Sequence, residues 1–131
     1  MYKKIPLLLI FLCLSSCRPS VLPHSMHQAE FDTSKIKQTQ LLIHKIGKKR
    51  DLLVFEKDKN LLENDEFLMT IDFDNAPVIV VTNSGHTDKL TVTTTDYGEM
   101  STKKLKELTN YILTSIEVEI GVKFTKVNAN Q

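Results

Sequence analysis

The sequence predicts an α+β domain, a small antiparallel β-sheet or sandwich with one C-terminal helix packed on it. Three observations predict this. Between residues 40 and 95, short runs rich in Val, Ile, Leu, Phe and Thr are separated by turn residues. Within several of those runs, apolar and polar residues alternate, the period of a strand with one buried face. From Ser101 onward the apolar spacing changes to three and four residues, the period of one helix face.

The elements follow in order. Arg18 to about Thr39 carries Pro19 and Pro23 and no clear period, so it reads as a flexible tether. Leu41, Leu42, Ile43 and Ile46 read as a first strand, and Gly47-Lys48-Lys49-Arg50 as its turn. Asp51 to Glu56 is the expected return strand, with Asp58-Lys59-Asn60 a second turn. Phe67, Met69, Ile71 and Phe73 alternate along a third strand, which Asp74-Asn75-Ala76-Pro77 breaks. Val78 to Val81 is apolar on both faces, as a central strand is. Asn83-Ser84-Gly85-His86 is turn chemistry. Lys89 to Thr95 returns with Leu90 and Val92 inward and Thr91, Thr93 and Thr95 outward. Ser101 is placed to cap a helix running to about Glu119, with Leu105, Leu108, Ile112 and Ile116 on one face. Gly121 suits its C-cap, and Val122 to Val127 a final strand.

The N-terminus carries a different signal. Lys3 and Lys4 precede Ile5 to Leu14, an uncharged run spanning about 15 Å as a helix. A bilayer core needs about 20 apolar residues. A positive start, a short apolar run and then small residues form the pattern of a signal peptide. Leu14-Ser15-Ser16-Cys17 resembles the lipobox of bacterial lipoprotein precursors. The resemblance covers the first 17 residues only, and the mature domain carries no family motif.

That resemblance implies a definite chemistry. Cys17 takes a diacylglyceryl group on its thiol and becomes the first residue of the mature protein, while Cys13 leaves with residues 1–16. The mature chain then keeps no free thiol and cannot form a disulfide. Each buried methylene contributes about 0.8 kcal/mol, so two or three acyl chains hold firmly where one holds weakly. By the same resemblance, Arg18 after the cysteine implies export to the outer membrane, facing the periplasm. The expected organisation is a signal peptide over residues 1–16, lipidated Cys17 and tether over 17–39, and one globular domain over 40–131. Stretched out, some 20 tether residues reach roughly 65 Å.

Charge bounds the partners. Removing Lys3 and Lys4 from the 17 Lys and Arg leaves 15 against 16 Asp and Glu, a net charge of −1 with histidine neutral. A near-neutral balance argues against nucleic acid, whose binders carry a basic field. Lys45, Lys48, Lys49 and Arg50 form the densest charge feature. They suit an interaction patch for anionic headgroups or an acidic partner, and equally a solvated hairpin tip.

No catalytic constellation stands out. His24 and His27 have the spacing of half a metal site without a third ligand nearby, so no metal and no cofactor are expected. Asp72-Phe73-Asp74-Asn75 departs from the calcium-loop pattern, because Ala76 and Pro77 occupy the third ligand and glycine positions. Glu63, Asp65 and Glu66 read as a solvated loop. Ser84 and His86 flank Gly85 without the nucleophile-elbow spacing. His44 reads as a hydrogen-bonded edge histidine. The expectation is therefore a non-enzyme: a lipid-anchored docking or accessory subunit of an envelope complex, such as a secretion system. A lipid- or small-ligand-binding periplasmic module is the alternative. A deep apolar cavity would favour the module, and an exposed apolar strip or bare sheet edge the docking subunit.

Overall fold

A computed structural model describes residues 23–127. The signal peptide, Cys17 and residues 18–22 lie outside the described residues, as do residues 128–131. The fold is α+β. Its strands are β1 (Pro23–Glu30), β2 (Leu53–Glu56), β3 (Leu68–Phe73), β4 (Ala76–Thr82), β5 (Lys89–Thr95) and β6 (Thr125–Val127). Helix α1 (Ile36–Arg50) lies between β1 and β2, and α2 (Thr102–Ile120) between β5 and β6. All pairings are antiparallel, in the order β2-β3-β4-β5-β1-β6.

The middle of the sheet is a meander whose turns follow from their residues. Asp74 and Asn75 adopt φ of 53° and 66° between Phe73 and its partner Ala76. Two left-handed central residues make the tight turn that matches the strand twist. The calcium-loop-like sequence is thus a hairpin tip. The buried Asn83 organises the next connection: its Oδ1 accepts from Phe67 N–H at 2.9 Å, and its Nδ2 donates to the carbonyls of Asp65 at 2.8 Å and Thr87 at 3.2 Å.

One face of the sheet holds the core. Met69, Ile71, Ile79, Val81, Leu90 and Val92 are fully buried against Ile43 and Ile46 of α1 and Leu105, Ile112 and Ile116 of α2. Thr94 and Thr109 join β5 to α2 through their hydroxyls at 3.0 Å, so neither buried oxygen is stranded. Helix α2 matches its expected bounds. Ser101 Oγ accepts from Lys104 N–H at 3.2 Å, and Gly121 ends the helix at φ 82°.

Three expectations are corrected. Residues 23–39 are not tether: 23–30 form β1, which pairs with β5 on one side and β6 on the other, and 36–39 open α1. The domain therefore includes residues before 40. Second, Leu41 to Arg50 is helix, not strand and turn. Thr39, Leu42, Ile43 and Ile46 are buried at helical spacing, while Leu41 is off the stripe and 63% exposed. Gly47 sits inside α1 because a Cβ there would overlap Val54 Cγ2. The chain leaves α1 at Asp51, left-handed at φ 58°. Third, the last strand is Thr125–Val127, shorter than 122–127.

Candidate functional site

Two surfaces stand out, on opposite sides of the sheet. The first is the outer surface of the helices. Lys45, Lys48, Lys49 and Arg50 are all exposed and lie in the last turns of α1, so the basic patch is helical and not a hairpin tip. Lysine and arginine there also complement the negative helix C-terminus. The guanidinium of Arg50 lies 4.1 Å from the Tyr111 ring centroid, a stacking contact between the helices. Beside it runs an open groove of about 320 Å³ lined by Leu42, Ile46, Tyr111 and Val118 together with Lys45 and Lys49. Val118 is 78% exposed.

Charge is segregated between the helices and the rest of the described domain. Among the described residues, the two helices carry eight Lys and Arg against three Glu, a net +5. The remaining described residues carry six against thirteen, a net −7. Helix α1 contains no acidic residue at all. Sequence composition hid this, because the two parts nearly cancel in the total.

The second surface is the β2 edge with the adjoining open face of the sheet. β2 pairs only with β3, so one side of its backbone is unpaired. Leu53 and Phe55 are 58% and 52% exposed on the open face, and Leu61 nearby is 70% exposed. The sequence signal was there: β2 is apolar on both faces, which in an edge strand leaves one face uncovered. His44 and Gln40 of α1 bond the Glu56 carboxylate at the end of β2, with Gln40 Nε2 donating at 3.1 Å.

The other singled-out residues are structural where they are described. Glu66 accepts from Gly85 N–H at 2.8 Å, and with Glu63 N–H these bonds hold its carboxyl below the usual range. Ser84 and His86 sit in the turn so pinned, both exposed. His27 lies on the covered face of β1 opposite Val92, away from any second metal ligand in sequence except His24. Burial lowers the His27 pKa, Lys126 lowers it further, and Glu117 opposes them. Asp74 hydrogen-bonds Glu99 and raises its pKa. No group of three His, Cys, Asp or Glu among the described residues is arranged to hold a metal ion. No described helix is long and apolar enough to cross a membrane. The chain matches no family model, no curated protein and no solved structure.

Proposed function

We propose that this chain is a bacterial lipoprotein, anchored through acylated Cys17, whose domain is a non-catalytic docking or accessory subunit of an envelope complex. A secretion system is the kind of assembly its layout fits, and Arg18 favours the outer membrane. The observation that carries the docking reading is the bare β2 edge with exposed Leu53 and Phe55. An unpaired strand edge is a template for another strand, and edges left apolar are interaction sites or aggregation hazards. The partner is an extended segment of another envelope protein that adds beside β2. Main-chain hydrogen bonds supply the affinity in that mode, and side chains beside Leu53 and Phe55 the selectivity. Anchoring both partners to one envelope raises local concentration, toward millimolar for short linkers, so a short edge suffices.

Photo-crosslinkers at position 55 and at Thr93, in the middle of the sheet, test this in intact cells. A discrete crosslinked product from position 55 alone supports edge docking. Products from both positions or neither overturn it. Complementation of a deletion strain adds a functional readout. Phe55→Asp fails at normal abundance, whereas alanine at Ser84 and His86 complements. Loss of function in those turn variants would point to catalysis instead. Cys17→Ser leaves unprocessed precursor without labelled palmitate, and density-gradient fractionation reports which membrane holds the wild type.

The groove between α1 and α2 supports a second reading. Its volume is at the lower end for small-ligand sites, and Leu42, Ile46, Tyr111 and Val118 give it apolar lining. A lipid-like ligand retained through purification, and lost in Tyr111→Ala, would favour a ligand-binding module.

A further inference from the structure

We propose that the basic outer surface of the helices lies against the anionic headgroups of the membrane that holds the chain's own anchor. This rests on the lipid-anchor reading above and deepens it. The first support is chain length. β1 begins at Pro23, so only five residues separate it from Cys17. At about 3.3–3.6 Å per residue, the six steps from Cys17 to Pro23 reach at most roughly 20 Å. A domain of about 105 residues has a radius of gyration near 13 Å and is thus some ~33 Å across. The connection is shorter than the domain is wide, so the end that carries Pro23 stays near the bilayer.

The register says what else lies at that end. Pro23 pairs with Thr95, Thr94 with Ile79, Ile79 with Ile71, and the neighbouring Asp72 with Leu53. α1 delivers its C-terminus to Leu53, and α2 starts soon after Thr95. The anchored end therefore collects Lys48, Lys49 and Arg50 from α1 and Lys103, Lys104 and Lys106 from α2, all exposed, while Asp51, Asp74, Asp96 and Glu99 occupy the turns at the same end. The second support is the charge segregation. Anionic leaflets attract clustered Lys and Arg near their surface, which favours turning the +5 helical face, and not the −7 remainder of the described domain with its acidic turns, toward the lipid. Leu41 and Val118, 63% and 78% exposed on the helices, add apolar contacts of the kind interfacial helices use. This orientation turns the open sheet face, with Phe55, away from the lipid and toward other proteins.

The test uses the mature protein purified with its native anchor and reconstituted into vesicles of phosphatidylcholine, with or without phosphatidylglycerol. If Cys17 is acylated, the mature chain has no other thiol, so Lys48→Cys and Thr93→Cys each take one fluorophore. Quencher-labelled lipid headgroups then report proximity. The expected result is several-fold stronger quenching at position 48 than at 93. It requires phosphatidylglycerol, falls at high salt as Debye screening demands, and is lost in Lys103→Glu/Lys104→Glu. Equal quenching at both positions, or no dependence on anionic lipid, overturns the orientation while leaving the anchor intact. An acidic protein segment as the true occupant would give that same lipid-independent result. Failure to float with vesicles, together with a Cys17 mass lacking acyl groups, overturns the anchor reading and this proposal with it.

Discussion

Neighbouring residues on the same strands meet opposite surroundings. Val54, Ile71, Ile79, Thr94 and Ser25 form one row across the sheet, and Phe55, Thr70, Val80, Thr93 and Met26 form the next. The first row lies under the helices, where Ile71, Ile79 and Thr94 are fully buried. The second faces away, and Phe55 remains 52% exposed. The period of two along a strand thus divides the labour. One face supplies the burial that holds the fold, at about 25 cal/mol per Å² of apolar area removed from water. The other is released from that duty and is available for a partner.

The sharpest way to break this division is a pair of substitutions one residue apart. Ile71→Ala should cost about 2–5 kcal/mol in urea unfolding, as expected for a fully buried aliphatic residue. Thr70→Ala on the open face should change stability by about 0.5 kcal/mol or less. Similar losses at both would mean the open face is also part of the core. A smaller effect is expected where α1 touches the sheet. Gly47→Ala gains about 1 kcal/mol of helix propensity, but its methyl must displace Val54, and overpacking costs about 1–3 kcal/mol. The net result should be destabilising in the same unfolding experiment. A more stable Gly47→Ala variant would show that α1 can shift off β2 freely.

The smallest effect is in pH dependence. Burial holds His27 below its ordinary pKa of about 6.5, helped by Lys126 and opposed by Glu117. The unfolded chain therefore takes up the proton first as pH falls. Stability is intact above about pH 6.5 and declines below it, through the lower folded-state pKa. His27→Gln should flatten that part of the profile, read as the urea midpoint between neutral and mildly acidic pH. An unchanged slope would mean that His27 is equally solvated in both states.

The two helices show what makes an element legible. Ser101, the spacing of Leu105, Leu108, Ile112 and Ile116, and Gly121 all point to one helix, and α2 has those caps. α1 carries the same spacing in Thr39, Leu42, Ile43 and Ile46, but Leu41 fills out a strand-like run and Gly47 resembles a turn. Its N-cap, Lys35, makes no side-chain cap bond, so no start signal corrects the reading. The candidate surfaces divide similarly. Lys45, Lys48, Lys49 and Arg50 were visible as a cluster. Their union with Lys103 and Lys104 needed the antiparallel packing of two helices distant in sequence.

The sequence by itself determined the α+β class, the strands of the β2 to β5 meander and the bounds of α2. Each of these rests on local period, turn chemistry or capping within a few residues. Only the tertiary structure decided β1. Its covered positions Ser25, His27 and Ala29 show no apolar alternation, and nothing within Pro23–Glu30 favours a strand. It becomes one because β5 and β6 offer backbone partners on both sides, and Ser25 and Ala29 are small enough to be buried there. A strand made by its neighbours' hydrogen bonds has no signature in its own residues. That placement also shortens the stretch between Cys17 and the first element from residues 18–39 to residues 18–22.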